Sequence, residues 1–150
     1  MIEIERKFTV DAEKWGNTPK SEPKRIVQGY ILRDSEKTIR VRTIENRGYL
    51  TIKGKTIGIA RSEFEYEIPY QEATELLKRF VDKVLTKDRY EVRSNHHLWE
   101  VDEFRGQLDG LIIAELELQH ENESFEIPDW VIEDVSLDPQ YYNASLIDKL

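Results

Sequence analysis

Seven segments of the chain alternate apolar and charged residues, and that alternation limits the fold more than any other feature. Side chains on a β-strand point in turn to opposite faces, so each segment has one oily and one ionic face. The first, MIEIERKF, sets Glu3, Glu5 and Lys7 between Ile2, Ile4 and Phe8, with Arg6 as the exception. IRVR places Arg40 and Arg42 against Ile39 and Val41, and LTIK places Lys53 against Leu50 and Ile52. ARSEFEYEI sets Arg61, Glu63, Glu65 and Glu67 against Phe64, Tyr66 and Ile68; TKDRYEV sets Lys87, Arg89 and Glu91 against Tyr90 and Val92. LWEVDEF and IIAELEL repeat the design with Glu100 and Asp102, then Glu115 and Glu117.

Such strands fit three arrangements. A one-sided antiparallel sheet would leave the ionic face in water. Only two clear helices are available to cover it, however, and about eight twisted strands tend to curl or close. A closed barrel with an apolar interior would hold an apolar ligand, whereas one with an ionic interior would be a polar tunnel. The charged positions are nearly all Glu, Asp, Arg or Lys, and enclosing these is costly unless they are paired or coordinated. A polyanion held by arginine and lysine, with divalent cations held by carboxylates, satisfies both signs. Triphosphate with Mg²⁺ or Mn²⁺ meets that description.

The 150 residues suit one domain, 1–150, with strands expected at about 2–9, 26–33, 37–44, 48–54, 59–68, 86–94, 97–103 and 111–118. Between the fifth and sixth, Ala73, Leu76, Leu77, Phe80 and Val81 recur at helical spacing after Pro69. A short closing helix is expected after Asn143 as N-cap, a helical turn near Trp15 and another turn around Trp130. The expected fold is mainly β: a closed eight-stranded antiparallel barrel forming a polar tunnel with a few covering helices. The formal net charge of −8 argues against broad nucleic-acid binding. No apolar run approaches a membrane span, cysteine is absent and no signal segment precedes the first strand, so a cytoplasmic location is expected.

In order along the chain, Glu3-x-Glu5-x-Lys7, QGYIL (Gln28 to Leu32), IRVR, TIK, RSEFE, TKDRY, WEVDEF, AELEL and Tyr141-x-Asn143-x-x-Leu146 resemble the sequence blocks of the CYTH superfamily, the triphosphate tunnel metalloenzymes. The resemblance spans nearly the whole chain and implies a closed barrel with an ionic tunnel. It implies that Glu3, Glu5, Glu115 and Glu117 bind metal, Mg²⁺ or Mn²⁺, with Asp102 and Glu100 assisting. Lys7, Arg40, Arg42, Lys53, Arg61, Lys87 and Arg89 match its phosphate-binding positions, and salt bridges to neighbouring glutamates are the alternative for each arginine. Glu63 and Glu65 are left between orienting these bases and ligating a second metal. Lys87, hydrogen-bonded to Tyr30, is the candidate general base, since surrounding cations would lower its pKa.

The chain departs from the resemblance at DPQYYN, where Pro139 and Gln140 stand in place of a basic residue. His96 and His97 are expected in a turn, and Trp15, Trp99 and Trp130 in the core or its cover. No phosphate-loop motif or serine or cysteine nucleophile motif is present. The family spans several triphosphate chemistries. The His-Phe pair typical of its cyclases is missing before Glu3, so hydrolysis of inorganic triphosphate or a small organic triphosphate is the expected function. Cyclic AMP formation from ATP and non-catalytic polyphosphate or nucleotide binding are the alternatives, in a monomer or homodimer whose partner is a small molecule.

Overall fold

The computed structural model describes residues 1–150. Its elements are β1 (Ile2–Val10), α1 (Ala12–Gly16), β2 (Lys24–Arg33), β3 (Lys37–Ile44), β4 (Arg47–Gly54), β5 (Ala60–Ile68), α2 (Tyr70–Arg79), β6 (Leu85–Ser94), β7 (His97–Phe104), β8 (Ile112–Glu117), β9 (Val131–Asp134) and α3 (Asn143–Leu146). The eight expected strands form one antiparallel sheet in the order β5-β4-β3-β2-β6-β7-β8-β1, and β1 returns to pair with β5. That seam is short: Ile2, Glu3 and Ile4 face Ser62, Arg61 and Ala60. β9, unanticipated from the sequence, lies beside the later part of β1 and pairs Phe8 with Asp134 and Val10 with Val131. Val135 N also donates to Lys7 O at 2.8 Å. No helix is long and apolar enough to cross a membrane.

The alternation places the oily faces outward, where they need cover. Phe8, Trp99, Val101, Ala114, Leu116 and Leu118 on the outer wall pack with Trp15 of α1 and with Trp130. The rings of Trp15 and Trp99 lie 5.1 and 5.5 Å from that of Trp130, both edge-on, the geometry aromatic quadrupoles favour. Asp11 caps α1, accepting from Lys14 N at 3.0 Å. His97 is fixed to Glu123 at 2.6 Å rather than being a free turn residue.

α2 covers β3 and β4 through its buried Ala73. The fit there is tight, because a Cβ on Gly48 would lie 2.6 Å from that of Ala73. The helix stops at Arg79, earlier than the apolar spacing predicts, and Phe80 is left exposed. Val81 instead reaches the barrel over Gly29, where any Cβ would collide with its Cγ1. A second apolar cluster lies at one end of the barrel. Inward-facing Leu85, Phe104 and Ile113 pack there against Leu108 and against Leu146 and Ile147 from the C-terminal segment.

Candidate active site

The inward faces enclose a cavity of about 700 Å³ lined by nine basic and eight acidic side chains. The β2–β3 turn (Asp34, Ser35), the β4–β5 loop (Lys55, Thr56, Gly58) and the C-terminal segment (Leu137, Tyr142, Asn143) also line it. Glu3, Glu5, Lys7, Tyr30, Arg40, Arg42, Lys53, Arg61, Lys87, Arg89, Glu100, Glu115 and Glu117 all line it, as do Glu63 and Glu65. Shared strand parity brings them together, since residues directly opposite across an antiparallel pair lie on the same face.

Asp102 is the one candidate metal residue that does not line the cavity. It is buried behind the wall, with Oδ2 2.7 Å from Lys87 Nζ and Oδ1 2.7 Å from Arg89 Nε. Arg89 continues to Glu115 at 2.7 Å and Glu100 at 3.3 Å. Lys87 is enclosed to 1% side-chain exposure. Burial pushes its ammonium down to about 8, with Arg89 adding to the effect against the pull of Asp102. Lys87 does not hydrogen-bond to Tyr30 as the sequence suggested; Nζ donates to Asn143 Oδ1 at 3.3 Å. The register explains the difference, because Lys87 faces Ile26 whereas Tyr30 faces Arg40. Asn143 accordingly does not cap α3, whose cap position is Tyr142. We expect Asp102→Asn to cost about 3–5 kcal/mol in urea denaturation, because it leaves two buried cations without their shared anion.

Two further networks hold the other wall. Lys53 lies 3.0 Å from Glu3 and 3.2 Å from Glu63, and Arg61 reaches Glu3 at 3.4 Å. Burial alone would raise the Glu3 carboxyl, but Lys53 and Arg61 outweigh it and hold it at about 2. Arg40 and Arg42 both reach Glu65 at 3.3 Å, and Thr51 Oγ1 donates to the same carboxylate at 2.7 Å. Burial, with Arg40 and Arg89 nearby, lowers the Arg42 guanidinium to about 10.

The carboxylates show the opposite strain. Glu5 lies directly across from Glu117, and Glu100 across from Glu115, an arrangement that is destabilising for like charges. Burial and Glu115 push Glu5 well above the usual carboxylate range. Burial, then Glu3, Glu63 and Glu100, raise Glu117. Glu115 instead sits well below that range: burial opposes its ionisation, but Lys7, Arg89 and Lys87 outweigh it. Paired carboxylates that repel one another suit a hard divalent cation. No three acidic or histidine side chains converge into a ready-made cage, so these residues fit a cation held by one or two carboxylates plus substrate oxygens and water.

Several residues in or against the lining were not among the sequence candidates. Thr51 shares the parity of Lys53 and was legible there, and Asn143 lies in the Tyr-x-Asn block. Lys37 opens β3 on the parity of Ile39 and Val41, and Lys55 and Thr56 lie in the β4–β5 loop, where alternation carries no signal. Ser136, whose Oγ accepts from Lys7 N at 2.8 Å and thereby fixes the last acid–base strand position, follows the unanticipated β9.

A closed antiparallel barrel with matched cations and carboxylates on its inner wall defines an ionic-tunnel protein. The chain belongs to the CYTH domain family, whose model matches residues 1–148. It is 46% identical over 146 residues to an inorganic triphosphatase of Acetivibrio thermocellus, covering 97% of this chain and 92% of that protein. It is 31% identical over 150 residues to an inorganic triphosphatase of Nitrosomonas europaea, covering 97% of each. The crystal structure of the inorganic triphosphatase NE1496 superposes with a TM-score of 0.66 at 29% identity, covering 97% of this chain and 93% of that one. Enzymes of the family are metal-dependent.

Proposed function

We infer that the protein is a divalent-metal-dependent triphosphatase that removes the terminal phosphate of inorganic triphosphate or a small organic triphosphate. The observation that carries this reading is the opposed Glu5–Glu117 pair facing a wall of lysines and arginines inside one closed space. It agrees with the activity named for both inorganic triphosphatases above.

In this reading Lys7, Arg40, Arg42, Lys53, Arg61 and Arg89 bind and orient the phosphate chain, the arginine forks matching pairs of phosphate oxygens. Glu5 and Glu117, directly opposed, would supply the one or two carboxylates that hold the cation, with Glu3, Glu115 and Glu100 beside them, and Mg²⁺ or Mn²⁺ is the fitting class. When bound, the cation neutralises charge developing on the phosphoryl oxygens. Glu63 and Glu65 keep Lys53, Arg40 and Arg42 in place until phosphate displaces them. Asp102 acts as a positioning residue for Lys87 and Arg89 instead of a metal ligand, since both its oxygens are engaged.

Lys87 is the general base: Nζ, held by Asp102 and Asn143, takes a proton from the attacking water. The water oxygen bonds to the terminal phosphorus while the bridging P–O bond breaks and pyrophosphate leaves. The deciding measurement is phosphate release from tripolyphosphate, ATP and thiamine triphosphate with Mg²⁺, with Mn²⁺ and in chelator. Metal-dependent release, fastest from tripolyphosphate, is expected. Cyclic AMP as the main product from ATP, or binding without turnover, would overturn the reading.

A further inference from the structure

β1 closes the barrel against only the first half of β5. The paired residues end with Ile2 and Ser62, and the last bond across the seam runs from Glu63 N to Met1 O at 3.1 Å. Beyond that point residues 64–68 pair with β4 alone. Because Glu63 N points toward β1, the strand period turns the N–H and C=O of Glu65 and Glu67 to the same side, where no strand lies. Phe64, Glu65, Tyr66 and Glu67 are accordingly exposed in succession, on both faces of the strand. A groove of about 370 Å³ follows this edge, lined by Met1, Ile2, Glu63, Phe64, Glu65 and Tyr66.

Natural proteins blunt free edges with lysine, proline, a bulge or a covering element. Residues 64–68 contain neither lysine nor proline, their ladder with β4 runs without a bulge, and α2 lies over β3 and β4 instead. The outer side chains are apolar: Phe64 stands directly across from Ile52, and both are exposed, as is Ile2. The segment itself indicates the occupant. Phe64-Glu65-Tyr66-Glu67-Ile68 reads apolar, acid, aromatic, acid, apolar in either direction, so a two-fold axis through Tyr66 sets each residue against one of its own class. Phe64 then faces Ile68 of the second copy and Tyr66 faces Tyr66, pairs that favour strand association. Glu65 faces Glu67, and their free N–H and C=O groups form the ladder. Arginines offset the like charges, since Glu65 is held by Arg40 and Arg42 and Glu67 lies 3.6 Å from Arg47. A register centred on Glu65 would instead oppose Glu67 to Glu63, whose N–H is already taken by Met1. The ladder ends at Pro69, which has no N–H.

We propose that the chain forms a two-fold dimer in which β5 pairs antiparallel with β5 of a second copy, centred on Tyr66. The two barrels then share one continuous sheet. Strand edge and exposed side chains together bury at most roughly 600 Å² per copy, the lower end of specific interfaces. The dimer is therefore weak, with dissociation in the micromolar range.

Sedimentation equilibrium of the full chain across micromolar concentrations should show the mass rising from 17.8 kDa toward twice that value. Tyr66→Lys, which sets two ammonium groups across the axis, should stay at 17.8 kDa throughout. The chain has no cysteine, so Tyr66→Cys treated with oxidised glutathione reports the register. A non-hydrogen-bonded pair brings the Cα atoms to about 4.5 Å, within disulfide range. Phe64→Cys is the exposed control on the same strand, because its two copies would lie about 13 Å apart. Rapid cross-linking of Tyr66→Cys alone is expected. A single mass at every concentration, with slow and equal cross-linking of both variants, would overturn the proposal and leave the edge to an extended peptide of another protein. So would a dimer that Tyr66→Lys leaves intact, which would place the interface elsewhere. Faster cross-linking of Phe64→Cys would overturn the register and the axis through Tyr66 with it.

Discussion

Glu5→Gln should lower turnover by on the order of 10²–10³-fold and, in metal-free protein at neutral pH, make the barrel more stable. Both effects come from one carboxylate. As an anion opposite Glu117 it offers the cation a ligand, and glutamine keeps the size but removes the charge. Without the cation, the same anion is buried beside Glu115 with Lys7 at 3.9 Å as its nearest ion-pair partner. Its folded pKa is therefore raised. A raised folded value means that the folded chain binds more protons than the unfolded chain between the two pKa values. Stability is then lost as pH rises out of the ordinary carboxylate range.

Glutamine removes that loss. The stabilising effect of the substitution should be near zero at about pH 4 and grow as the pH rises to neutral. Urea denaturation in chelator at the two pH values, beside phosphate-release assays with metal, measures both. Full activity in the variant would remove Glu5 from the metal site.

Lys87→Ala should depress kcat by about 10²–10⁴-fold, the range typical of a general base, with little change in KM. Arg42→Ala should do the reverse and chiefly raise KM. In the wild type, kcat should climb as pH passes about 8 and the ammonium loses its proton, and that limb should vanish in the variant. A stability signature accompanies it. Because the folded pKa lies below the ordinary value of 10.5, the unfolded chain binds more protons between the two, and stability rises with pH across that window. Lys87→Met should abolish the rise. A Lys87 variant with raised KM, little-changed kcat and an intact alkaline rise in kcat would show that Lys87 only binds phosphate.

Alternation made most of the interior readable, because the strand period of two assigns every second residue to one face whatever the tertiary context. Depth is another matter. Asp102 has the same parity as Glu100 and Glu115, yet the curvature of the wall buries it behind Lys87 and Arg89. Gln28 likewise shares its face with Tyr30, yet it is completely enclosed and does not line the cavity. Chemical type alone pairs Tyr30 with Lys87, whereas strand register decides such partners and is not written in either segment alone. β9 escaped because VIED is four residues long and its pairing with β1 includes a register shift. Asn143 reads as a helix cap by type, and only the position of β6 beneath it turns its side chain to Lys87 instead.

Every pairing of β1 described above is distant along the chain. Glu3 meets Arg61 across 58 positions and Lys7 meets Ser136 across 129. The hairpins β3–β4 and β6–β7 close across tight turns and can form early, whereas the first strand must wait for partners that bear a large loop-closure entropy. Because that strand carries Glu3, Glu5 and Lys7, a chain in which it is still undocked lacks the Glu5 half of the opposed Glu5–Glu117 pair, and the metal site is complete only once β1 closes the barrel. A chain stalled before that step would still attract polyanions but would not hydrolyse them.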